Sequence, residues 1–121
     1  MLTSELVQMY EEGFATVVVN LETGVIVWTN QLLEHMFGYH MRNCLRGESI
    51  ELLLPLDQQA KHRANIASYA ENPELRPMGA GKQVYGRHKD GSEFPVFVML
   101  AACVLENKRL GVAIVGKMST P

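Results

Sequence analysis

Apolar and polar positions alternate with two different periods along the chain, and the changes of period mark the elements. From Phe94 to Leu105 apolar residues occupy both parities of an extended run. That pattern belongs to a strand covered over much of both faces, or paired with a partner chain. Arg109 to Met118 reads as a further strand, joined to the first through Glu106-Asn107-Lys108 as a hairpin. Ahead of them, the polar stretch Arg87-His88-Lys89-Asp90-Gly91-Ser92 separates Gln83-Val84-Tyr85 from Phe94-Pro95-Val96-Phe97-Val98. Its Asp-Gly pair suits the positive φ angles of a hairpin turn, and Pro95 limits pairing at the start of the long strand. Near the other end, Ala15 to Asn20 and Gly24 to Thr29 are short β-branched runs separated by Leu21-Glu22-Thr23-Gly24, a further hairpin.

Helical spacing appears elsewhere. In residues 3–13, which Thr3 or Ser4 can cap and Gly13 ends, Leu2, Leu6, Met9, Tyr10 and Phe14 fall close to one face. Asn30 is placed to cap a short helix with Leu32, Leu33, Met36 and Phe37 as its buried stripe and Gly38 as its stop. Two short helical turns follow, at Met41 to Leu45 and Ser49 to Leu53, separated by Gly47 and closed by Pro55. Asp57 then caps a helix running to about Ala70, ended by Asn72-Pro73. On that helix His62, Ile66 and Tyr69 share one face, while Ala60, Ala64 and Ala67 form a second, small-residue face. The order of elements predicts an α+β domain: a five-stranded antiparallel sheet, helices across one face, and a cavity between the two layers as the natural ligand site.

Composition narrows the function. With 121 residues and 47% hydrophobic content the chain suits one domain with one core. A net charge of −2, with both signs spread along the chain, gives no electrostatic footprint for nucleic acid. No apolar run approaches the roughly 20 residues of a membrane span, and no signal peptide opens the chain, so the expected location is cytoplasmic. Cys44 and Cys103 lack metal-ligand spacing and read as ordinary buried or half-buried thiols. The default role of Trp28, Tyr85, Met36 and Met78 is core packing, and His35, His40 and His88 show no mutual spacing that makes a metal site. No catalytic triad, carboxylate pair or phosphate loop emerges, so an autonomous enzyme is not expected.

Several pieces, in this order and spacing, resemble a PAS domain over Phe14 to Ser119. They are Glu22-Thr23-Gly24-Val25-Ile26 leading to Trp28-Thr29-Asn30, Phe37-Gly38-Tyr39, Gly47-Glu48-Ser49-Ile50 with Leu53-Leu54-Pro55, and Lys89-Asp90-Gly91-Ser92 with Phe94-Pro95. The resemblance implies the PAS fold over residues 14–119, preceded by an amphipathic dimerisation or signalling helix over residues 1–13. It further implies a sensory module of a signal-transduction protein, such as a two-component histidine kinase, cyclic-dinucleotide enzyme or transcription regulator. Such a module binds a small molecule in its core pocket, forms a homodimer, and relays the change to an output domain or partner protein.

Residues 62–100 are most similar to the haem-binding PAS domains of oxygen-sensing histidine kinases. That likeness implies haem b as a cofactor, with His62 matching the ligand to the haem iron and Ile66 and Tyr69 following it on the helix. The subgroup's Gly-x-Gly-Arg, whose Arg meets bound oxygen, is here Gly79-Ala80-Gly81-Lys82, and Lys82 offers a mobile point charge where Arg offers a planar fork. Val98 and Leu100 match the apolar strand residues of the distal pocket. Cys44 does not match the photoadduct cysteine of the flavin-binding members, whose place falls at Ile50. Three readings stay open: a pocket for an unidentified small ligand, a haem-b gas or redox sensor, and a ligand-free dimerisation module.

Overall fold

Two hairpins at opposite ends of the chain meet edge to edge and make the sheet. In the computed structural model, residues 14–59, 76–77 and 84–117 are described. Strands β1 (Ala15–Asn20) and β2 (Ile26–Thr29) form the first hairpin, β5 (Glu93–Leu105) and β6 (Lys108–Lys117) the last, and β1 lies against β6. The two-residue β3 (Arg76–Pro77) and β4 (Val84–Arg87) both pair with β5, beside its Met99–Leu100 and Glu93–Val96 stretches respectively. Every pairing is antiparallel, and the order is β2-β1-β6-β5, with β3 and β4 along the outer side of β5. The expected five-stranded sheet is therefore present, with β3 as a brief sixth pairing.

Each turn uses the residues its geometry requires. At the β5–β6 turn both Glu106 and Asn107 adopt positive φ, 51° and 65°, as a two-residue turn of the primed type demands. At the β4–β5 turn only Gly91 does so, at φ 93°. The His88 carbonyl accepts from Gly91 N–H at 2.8 Å, and the Ser92 carbonyl accepts from His88 N–H at 2.8 Å. This is a three-residue loop ending on a left-handed glycine, and Asp90 keeps an ordinary conformation. Pairing of β5 with β6 begins at Val96, one residue past Pro95.

Helix α1 (Gln31–Met36) starts and stops as its sequence demands. Asn30 Oδ1 accepts from Leu33 N–H at 3.0 Å and also from Thr16 N–H at 3.0 Å, tying the helix start to β1. At the other end Gly38, φ 85°, follows Phe37. Its N–H donates to His35 O at 3.1 Å, and Tyr39 N–H donates to Glu34 O at 2.7 Å: the paired bonds of a Schellman reversal. Of the expected stripe, Leu33 and Phe37 are buried and Met36 half-buried, whereas Leu32 is exposed. At 100° per residue Leu32 lies about 140° around the helix from Phe37, outside the face that Leu33 and Phe37 bury. Residues 42–47 form successive turns in place of a helical segment, because Asn43 takes φ 63° and breaks the helical path. The second expected turn is a 3₁₀ helix, Ile50–Leu53, capped by Ser49, and another, Leu56–Gln58, follows Pro55.

Alternation along the strands gives the sheet two distinct faces. On the inner face Ala15, Val17, Ile26, Val96 and Val115 join Leu33, Phe37, Leu45, Leu53 and Phe94 in one core. On the outer face Trp28, Tyr85, Phe97 and Ile114 are between 37% and 51% exposed. Trp28 and Tyr85 are thus not core residues: their register partners Val18 and Pro95 put them on the sheet side away from the helices. Cys44 is half-buried, as expected, but Cys103 is exposed; among the described residues no strand pairs with that side of β5 past Leu100. The helices expected over residues 1–13 and from Asp57 to Ala70 lie outside the described residues, save for the 3₁₀ turn that takes in Asp57.

Candidate functional site

The inner face of the sheet is filled at one end. There the rings of Phe37 and Phe94 meet with centroids 5.0 Å apart and planes at 59°, and Leu33, Leu45 and Leu53 close around them. Gly86 lets them come this near: a Cβ on it would stand 2.7 Å from Phe37 Cε2 and 2.9 Å from Phe37 Cζ. Farther along the same face, covering is looser. Val98, paired with Val115, is half-buried against the main core, and Leu100, paired with Ala113, is half-buried against a smaller cluster of Val19 and Leu21.

Val98 and Leu100 therefore stand two residues apart on one strand and share the inner face. Of the other expected site residues, His62, Ile66, Tyr69 and Lys82 lie outside the described residues. The Gly79-Ala80-Gly81 segment lies there too.

Around this apolar face the polar groups are tied down. Glu34 is only 2% exposed; its Oε2 accepts hydrogen bonds from the Thr29 hydroxyl at 2.7 Å and from Asn43 N–H at 3.1 Å, so the buried carboxylate has two donors. Arg87 Nε donates to Leu54 O at 2.9 Å and pins β4 to the segment after the first 3₁₀ helix. Lys89 N–H donates to Phe37 O at 2.8 Å, fastening the hairpin tip to the end of α1. Sequence reasoning missed Glu34: a carboxylate two residues before a glycine-stopped helix end looks like any solvated charge until the loop carrying Asn43 folds back on it.

A separate cleft of about 470 Å³ is lined by Tyr39, His40, Met41, Cys44, Leu45, Glu48, Leu52 and Lys89. Lys89 Nζ stands 5.8 Å from the Tyr39 ring centroid. Burial pushes the Tyr39 phenol above its ordinary pKa, with the Arg87 charge opposing that shift and Cys44 and Glu48 adding to it. Among the described residues no three His, Cys, Asp or Glu side chains converge as a metal site, and no helix is long and apolar enough to cross a membrane.

The architecture matches solved PAS domains. The PAS domain of an HTR-like protein from Haloarcula marismortui superposes with a TM-score of 0.73 at 22% identity, covering 95% of this chain and 90% of that one. A PAS domain from a two-component sensor histidine kinase superposes with a TM-score of 0.69 at 16% identity, covering 96% of this chain and all of the other. In sequence, the chain is 25% identical over 77 residues to the Sensor protein FixL of Bradyrhizobium diazoefficiens, a match covering 64% of the chain and 15% of that protein's length. No family model matches the chain. The chain has the fold of a PAS domain.

Proposed function

We propose that the chain is the sensory PAS module of a larger signalling protein, binding a small molecule between the sheet and the helical layer. The supporting observation is the contrast along the inner face, which is packed solid around Phe37 and Phe94 and half-covered at Val98 and Leu100. In this reading the cavity is lined by Val98 and Leu100 from β5 and by His62, Ile66 and Tyr69 from the helix that follows Asp57, with Lys82 at its edge. Residues 14–119 form the sensory unit, and residues 1–13 form the helix through which it signals or dimerises. The module is not itself an enzyme, works in the cytoplasm, and its output belongs to another domain or a partner protein. A match that spans only 15% of a sensor protein's length supports that division of labour.

Signalling needs a ligand that favours one of two arrangements of helix and sheet, because equal affinity for both shifts nothing. Haem b is the specific occupant the sequence suggests: neutral imidazole at His62 would hold the iron, and Lys82 in place of Arg would weaken the hold on bound oxygen. Reconstitution with haem tests this version. A Soret band that His62→Ala abolishes supports it; no band, or one unchanged in that variant, removes it.

A second reading, a dimerisation module that needs no ligand, is favoured by the outer face. Trp28, Tyr85, Phe97 and Ile114 leave apolar side chains exposed on the outer face, and in this reading the stripe expected from the sequence, Leu2, Leu6, Met9, Tyr10 and Phe14, adds to the surface that a second copy would cover. A dimer that persists without ligand in native mass spectrometry supports it, and a chain monomeric under the same conditions counts against it.

A further inference from the structure

The reversal at the end of α1 brings together two imidazoles that the sheet cavity does not use. His35 lies in the last turn of the helix and His40 two residues past Gly38, and their ring centroids are 5.4 Å apart with planes at 51°. Both side chains are exposed. The backbone beneath them is fixed on both sides. Gly38 N–H bonds to His35 O, Tyr39 N–H bonds to Glu34 O, and the buried Glu34 carboxylate holds Asn43 N–H three residues beyond His40.

Their places in the sequence suggest no metal site, but the folded distance between the rings has a chemical meaning. Two imidazoles on one tetrahedral ion, with metal–nitrogen bonds of about 2.0–2.1 Å, set their ring centroids about 5 Å apart. The pair is at that separation with its backbone already ordered, so little chain entropy is lost on binding. Imidazole nitrogen suits zinc, copper and nickel. We propose that His35 and His40 form a two-imidazole clasp for a borderline divalent cation of this kind. No third His, Cys, Asp or Glu among the described residues joins them, so water completes the coordination and the ion is exchangeable. His40 also lines the cleft of Tyr39, Cys44 and Glu48. An ion in the clasp ties the end of α1 to this loop and forms an input separate from the sheet cavity.

Calorimetric titration of zinc chloride into the full chain tests the clasp. The expected result is a single saturable site whose affinity falls about tenfold or more in His35→Gln and in His40→Gln, and is unchanged in Cys103→Ser, an exposed position on β5. Circular dichroism of the variants confirms that the fold is kept, since both side chains are on the surface. Absence of zinc uptake by the wild-type chain, uptake that survives both His35→Gln and His40→Gln, or uptake lost only with His62→Gln overturns the assignment.

Discussion

The ring of Phe37 occupies the space that a side chain on Gly86 would need, with Cε2 2.7 Å from where a Cβ would stand. The ring cannot easily yield. It is 3% exposed and braced against Phe94, so Gly86→Ala must move either β4 or the core. The expected cost is about 1–3 kcal/mol, read as a lower urea midpoint at unchanged slope. Gly116→Ala, whose Cβ would meet nothing within 4 Å, is the control and should stay within about 0.5 kcal/mol.

Asn30 joins three parts of the fold through one side chain. Its Oδ1 caps α1 at Leu33 and accepts from Thr16, and its Nδ2 donates to Phe14 O at 2.7 Å. Asn30→Ala should therefore cost about 2 kcal/mol or more, the upper end for a helix cap. Asn30→Asp keeps the cap and loses the donor to Phe14, so its midpoint should fall between those of wild type and Asn30→Ala. Equal midpoints for Asn30→Ala and wild type would contradict this role.

Much of this was legible in the sequence, for reasons that differ by element. Asn30 and Gly38 could be read because capping and reversal need particular residue types at adjacent positions. The hairpins were readable because Gly91 and the Glu106-Asn107 pair sit between apolar runs. Leu32, Trp28 and Tyr85 were misjudged because residue type gives hydrophobicity but not the face of the sheet or helix, which the cross-strand register decides. Within the candidate site, Val98 and Leu100 came from the likeness to the haem-binding members; the two-residue period puts them on one face, but which face was not readable because Phe94 to Leu105 is apolar on both parities. Glu34 could not be foreseen, since its partners Thr29 and Asn43 reach it only after the loop has folded back.

Removing one partner of that buried carboxylate tests its importance. Thr29→Val keeps the shape of the side chain and deletes the 2.7 Å hydrogen bond to Glu34, leaving a buried charge with fewer donors. A loss of about 1–3 kcal/mol is expected. Backbone amide exchange at Asn43 should also quicken, because its N–H shares the same carboxylate.

Asp90 carries the acid-side prediction. The Ser92 hydroxyl and Ser92 N–H, donating at 2.6 and 2.8 Å, hold its carboxyl below the ordinary aspartate value of 3.8, with His88 adding to the effect. A carboxylate whose folded pKa is depressed stabilises the fold above its unfolded pKa and loses that contribution as pH falls through the folded value. Stability of the β4–β5 turn should thus decline only on the acid side of the unfolded value. Ser92→Ala should move the Asp90 titration, followed by carboxyl carbon NMR, back toward the ordinary value and lower stability slightly at neutral pH, with the difference from wild type vanishing at acid pH.

The proposed function requires a small molecule on the inner face at Val98 and Leu100. Native mass spectrometry of the freshly purified chain, beside a Leu100→Trp variant that fills the half-covered end of that face, tests it most directly. The prediction is a bound small molecule in the wild type that is lost in the variant while the circular dichroism spectrum is unchanged. A wild-type chain that carries nothing and takes up nothing from an extract of small metabolites, or a ligand retained equally by Leu100→Trp, would contradict it.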